Sequence, residues 1–114
     1  MADILERHTL KDGETVFREG EAAGSAFIVQ TGEVAIIRLI GAVPTELAVI
    51  GQGGVFGEMA LIDDKPRMAT AKVRGGAAIV TVTKAMYEQK LKNTDPFVRA
   101  LLRILVDTVR QSSK

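Results

Sequence analysis

Between Gly51 and Thr70 the chain reads GQGGVFGEMALIDDKPRMAT, with four glycines ahead of Glu58 and the helix formers Glu58-Met59-Ala60-Leu61 directly after Gly57. A helical turn that begins on a glycine-rich loop leaves its first backbone N–H groups without intrahelical partners, and such an end attracts an anion. Arg67 follows Pro66 in the same segment. Where the loop doubles back, its guanidinium can meet that anion with paired N–H donors, a geometry suited to phosphate. Glu58 does not fit a bare phosphate site. A carboxylate at a helix start suits the dipole but repels a phosphate placed directly on it, so its natural partner is a hydroxyl slightly to one side. A sugar phosphate satisfies both side chains. The plainer alternative is a structural ion pair between Glu58 and Arg67.

Other phosphate chemistries fit less well. A nucleotide P-loop needs Lys and then Ser or Thr after its last glycine, but Gly57 is followed by Glu58. The dinucleotide fingerprint fails at Phe56, which stands where its third glycine would be. Catalysis has little support: there is no cysteine, Ser25, Ser112 and Ser113 lie outside any strand–serine–helix elbow, and His8 has no partner at a useful spacing. Without cysteine, and with one histidine, neither a thiolate metal site nor a histidine-rich one can be assembled. The expectation is a protein that is not an enzyme and carries no metal or cofactor.

Short β-rich runs separated by glycine must position this segment. Thr15–Phe17, Ala26–Gln30, Glu33–Ile40, Glu46–Ile50, Ala69–Val73 and Ala77–Val82 read as strands, with turn signals about every ten residues, the pattern of an antiparallel sandwich or barrel. Gly32 and the pair Gly75-Gly76 read as hairpin turns. Thr83 is a candidate cap for a helix through Lys90, and Asp95-Pro96 opens a second one. In that helix Phe97, Leu101, Ile104 and Leu105 form an apolar stripe that Val98, Leu102, Val106 and Val109 widen. Its arginines, Arg99, Arg103 and Arg110, read as a solvated face, with stacking of Arg103 or Arg110 on a base the alternative, and not as a nucleic-acid footprint, since no basic cluster or aromatic platform accompanies them. The arc is too wide for one contact, so part of it should pack on the β body and the rest on a second chain or on further sequence.

The 114 residues are 46% apolar and carry 15 basic against 14 acidic side chains, which fits one domain spanning 1–114 and argues against a disordered polyelectrolyte. No apolar run approaches the roughly 18 residues of a membrane-spanning helix, and MADILERHTL lacks the features of a signal segment. A soluble, cytoplasmic chain is expected, with no membrane insertion.

Phe56-Gly57-Glu58-Met59-Ala60-Leu61 followed by Pro66-Arg67-x-Ala69-Thr70 resembles the phosphate-binding cassette of the cyclic nucleotide-binding domain family. That family includes cAMP-dependent kinase regulatory subunits, cyclic nucleotide-gated channels and catabolite-activator-type regulators. Gly13-Glu14, Phe17, Glu19-Gly20, Phe27-Ile28 and Gly32-x-Val34 resemble its early strands and turns, so the likeness runs from about Leu10 to Leu105.

The resemblance implies a mainly β chain with flanking helices. Its core would be an antiparallel β-roll of jelly-roll type over about 10–82, with a short cassette helix inside it and C-terminal helices over about 83–111. It implies that Glu58 holds the ribose 2′-hydroxyl and Arg67 an exocyclic phosphate oxygen. Backbone groups of Gly57, Met59, Ala60, Met68 and Ala69 would complete the cradle, while Ile36 and Ile50 would line the base. Met68 stands where cGMP-preferring relatives often carry Thr, which points to cAMP, with cGMP the alternative. Asp63-Asp64-Lys65 occupies a loop where relatives commonly have glycine, placing two carboxylates near the anion. The implied function is a cyclic-nucleotide sensor whose C-terminal helix moves on binding and could contact a second copy or an effector domain. The competing expectations are a roll that has lost its ligand and serves as an interaction scaffold, or the ligand-binding fragment of a larger transcription regulator or channel.

Overall fold

The computed structural model describes residues 6–63, 65–92 and 94–112. Two long strands organise it, β3 (Ser25–Ile40) and β6 (Thr70–Thr83), paired antiparallel from Ser25 opposite Thr83 to Ile37 opposite Thr70. The ends of each long strand take different partners. On β6 these are β1 (Arg7–Leu10) and β2 (Thr15–Phe17); on β3 they are β5 (Val55–Phe56) and β4 (Val43–Ile50). The sheet thereby rolls on itself, and the residues between its layers are small and branched: Val29, Val34, Ala71, Val73, Ala77 and Ile79, with Phe56. The expected antiparallel β-roll is observed.

Gly32 and Gly75-Gly76 are not hairpin turns, as their spacing suggests, but lie inside β3 and β6. All three have positive φ, and the β3–β6 register slips on either side of Gly32. These are strand distortions at which the two layers meet, a use of glycine that looks the same in sequence as a turn. The β3–β4 hairpin turns instead at Gly41-Ala42, where both residues have positive φ. β4 begins at Val43, three residues ahead of the expected start, and tolerates Pro44 because it lies at the edge of the sheet. β1 and β5 carry no sequence signal of their own, being short and dependent on the long strands for hydrogen bonds.

Both helices start where expected. Thr83 caps α1 (Lys84–Leu91) by accepting a bond from the Met86 amide at 3.2 Å. Asp95 Oδ1 accepts from the Phe97 amide at 2.9 Å to open α2 (Pro96–Ser112). Of the apolar side chains on α2 only Val106 is buried; Phe97 is 70% and Ile104 59% exposed, with Leu101, Leu105 and Val98 also open. His8 is exposed on β1.

Candidate functional site

The cassette helix is a single 3-10 turn, Glu58–Leu61, entered through Gly57 at φ 72° and ψ 16°. This left-handed entry needs a glycine, and the tight turn leaves the amides of Glu58 and Met59 outside its own hydrogen bonding. The amide of Ala60 donates to the Gly57 carbonyl at 3.3 Å. Of the four glycines ahead of Glu58, only Gly57 reaches the cavity described below. Gly53 and Gly54 instead bind Val29 on β3, with Gly53 N–H donating to its carbonyl at 2.8 Å and Val29 N–H donating to Gly54 at 2.9 Å. They fix the loop before β5, and they make no phosphate cradle.

Arg67 arrives from the other side of the same cavity. Its backbone is stitched to the turn after β2: its amide donates to the Glu21 carbonyl at 2.9 Å, and its carbonyl accepts from Gly20 at 2.8 Å. The side chain turns inward and is 8% exposed. Nη1 donates to the Gly57 carbonyl at 3.2 Å and Nη2 to the Ser25 carbonyl at 2.8 Å. Nε is buried and has no hydrogen-bond partner. Burial pushes the guanidinium pKa down, and the charge of Glu21 offsets part of that. Arginine stays cationic regardless, so the geometry is that of a buried cation whose fork is held by neutral carbonyls, with Nε unpartnered. The ion pair with Glu58 does not form. Glu58 is exposed at the cavity rim while Arg67 points at backbone.

One cavity of about 390 Å³ joins these elements, a volume within the roughly 300–1,000 Å³ of small-molecule sites. Its wall contains all nine expected site residues: Gly57, Glu58, Met59, Ala60, Arg67, Met68, Ala69, Ile36 and Ile50. Ile36 and Ile50 lie on the paired strands β3 and β4. Met59 is half-buried on the wall.

Phe17, Leu47 and Val109 also stand on that wall, with no signal in the sequence to place them there, and so does Arg110. Arg110 is not on a solvated face. Its Nε and Nη2 donate to Asp63 at 2.5 and 2.8 Å, and its Nη1 donates to the Pro66 carbonyl at 3.1 Å. Asp63 is 3% exposed. This bidentate pair joins residues 47 positions apart in sequence, beyond the reach of any local pattern. It also neutralises one of the two carboxylates expected to weaken an anion site; Asp64 lies outside the described residues. Among the described residues no cluster of metal-ligating side chains occurs, and no helix is long and apolar enough to cross a membrane.

The sequence model of a family described as "Cyclic nucleotide-binding domain" matches residues 7–94. A cAMP-dependent protein kinase regulatory subunit from Mucor circinelloides f. lusitanicus is 30% identical over 91 residues, which cover 80% of this chain and 21% of that protein. The fold superposes on the EAL enzyme Bd1971 in its cAMP-bound form with a TM-score of 0.88 at 29% identity, covering 94% of this chain and 29% of that one. The cGMP-bound form of the same enzyme gives 0.86, also at 29%, covering 95% and 29%. Thermus thermophilus catabolite activator protein shares the fold, with a TM-score of 0.77 at 24% identity over 95% of this chain and 51% of that one. The chain therefore spans between a fifth and a third of the kinase subunit and of the EAL enzyme.

Proposed function

Starting from the fact that this chain belongs to the cyclic nucleotide-binding domain family, we propose that it is a non-catalytic sensor module for a cyclic nucleotide, with cAMP preferred over cGMP. The observation that carries the reading is the buried guanidinium of Arg67, which has an unpartnered Nε and lines an otherwise largely apolar cavity. An exocyclic phosphate oxygen supplies the missing acceptor, and its charge reverses the cost of burying the cation. Glu58, at the rim, takes the ribose 2′-hydroxyl. The amides of the cassette turn face the rest of the phosphate, and Ile36, Ile50 and Val109 form an apolar slot for the base. Met68 offers the guanine amino group no hydroxyl, which favours adenine. The kinase subunit named for cAMP and the EAL enzyme held with either nucleotide support the ligand class.

Titration calorimetry with cAMP and cGMP tests this. Saturable one-to-one binding is expected, at micromolar strength for cAMP, about −8.2 kcal/mol, and weaker for cGMP. Absence of saturable heat with both ligands leaves the interaction-scaffold reading standing in its place.

Val109 and Arg110 bring the end of α2 over the cavity, so a ligand that favours this helix position over another shifts its population and transmits a signal. The exposed stripe through Phe97, Leu101 and Ile104 is then the surface offered to a second copy or an effector domain. The Asp63–Arg110 pair holds that helix end in place. Asp63→Asn leaves the guanidinium facing a neutral amide and should speed release of a fluorescent cAMP analogue about tenfold, equivalent to roughly 1.4 kcal/mol. Stopped-flow displacement by excess cAMP measures the rate; an unchanged rate removes the pair from the closing mechanism.

A further inference from the structure

The geometry points to Phe17 as the positioning residue for Arg67, an assignment that rests on Arg67 being the phosphate ligand. Phe17 ends β2, and the guanidinium carbon of Arg67 lies 4.0 Å from its ring centroid, with Phe27 more distant at 5.7 Å. The ring is itself braced, its centroid 5.9 Å from that of Phe27 and 6.0 Å from that of Phe56. Gly57 borders the seat where ring and guanidinium meet. A Cβ there would fall 2.7 Å from Arg67 Nη1 and 3.1 Å from the nearest Phe17 ring atom, so only glycine leaves room for the guanidinium to lie on the ring.

Three constraints therefore fix one planar group. The Phe17 ring holds the guanidinium carbon 4.0 Å from its centroid, the Gly57 and Ser25 carbonyls each direct one terminal N–H, and the remaining N–H groups, Nε among them, are left for an anion. The quadrupole of an aromatic face attracts a cation most where water is excluded, so Phe17 offsets part of the desolvation that burial imposes on Arg67 in the empty chain. A fork held in this way loses little further freedom when it meets phosphate. Leucine keeps an apolar, though smaller, side chain at this position and offers no such face.

Replacing Phe17 by phenylalanines of increasing ring fluorination preserves shape while draining the negative face. cAMP affinity is expected to fall stepwise, by about tenfold for the fully fluorinated ring, with thermal stability little changed. Phe17→Tyr should retain affinity, whereas Phe17→Leu should lose it. Side-chain ¹⁵N–¹H spectra of the ligand-free chain supply an independent readout: the Arg67 Nε–H resonance should lie upfield under the ring current and return to the normal range in Phe17→Leu. Affinity that is flat across the fluorinated series, or an Nε–H shift indifferent to Phe17→Leu, overturns the assignment. An upfield Nε–H in a chain that binds neither nucleotide would instead show the seat to be real and the phosphate role of Arg67 to be wrong.

Discussion

Arg67→Gln should weaken cAMP binding by about 100-fold or more while leaving the melting temperature of the ligand-free chain unchanged or slightly raised. The two halves of that expectation come from opposite effects of one charge. In the empty chain the guanidinium is buried among backbone carbonyls and an aromatic ring, with no carboxylate bonded to it, and burial disfavours its charged form. Replacing such a group by a neutral one of similar shape removes a desolvation cost and is often neutral or stabilising. Glutamine retains a donor for one of the two carbonyls, where alanine would orphan both and leave a void. With ligand present the balance reverses. Truncating one partner of a desolvated, hydrogen-bonded charge pair costs about 2–5 kcal/mol, and every 1.4 kcal/mol is about tenfold in affinity. Calorimetry and a thermal melt on the same sample read both halves. Undiminished affinity would show that the phosphate is held elsewhere; a fall in melting temperature as large as the fall in affinity would make Arg67 a structural residue.

How much of this site can be read in the sequence depends on how far apart its parts lie along the chain. Gly57, Glu58 and Arg67 fall within one short segment, and their chemistry is set by a helical turn, a left-handed glycine and a doubled-back loop, all local features. Arg110 reaches Asp63 across 47 positions, and Phe17 reaches Arg67 from a three-residue strand about fifty positions earlier in the chain. Neither contact leaves a periodic trace. The helical pattern of α2 is plain, yet what its apolar face meets is a property of a surface and not of a period. The glycines are the instructive case. Gly53 and Gly54 sit in what reads as a phosphate loop and turn out to bind Val29, because close backbone approach and anion binding both call for the same residue.

Gly32 carries the second large effect. Gly32→Ala is expected to destabilise the chain by about 2–5 kcal/mol, the sum of roughly 1–2 for an L residue at positive φ and about 1–3 for overpacking. The backbone has φ 87° there, and an added Cβ would lie 2.2 Å from the Gly76 carbonyl oxygen and 2.7 Å from the Ala77 Cα. Those are atoms of the partner strand, facing Gly32 in the register that pairs it with Ala77, so neither can yield without parting β3 from β6 at the bend that closes the roll. A domain of this size has about 5–15 kcal/mol in all, and a melting temperature lowered by roughly 10 °C or more follows. Gly75→Ala is the control. It too has positive φ, 76°, but nothing lies within 4 Å of its added Cβ, so only the conformational part of the loss, about 1–2 kcal/mol, should appear. Urea unfolding of the two variants separates steric from conformational cost. Equal losses would mean that backbone strain alone accounts for Gly32, and that the two layers of the roll can part at this bend without breaking the register between the long strands.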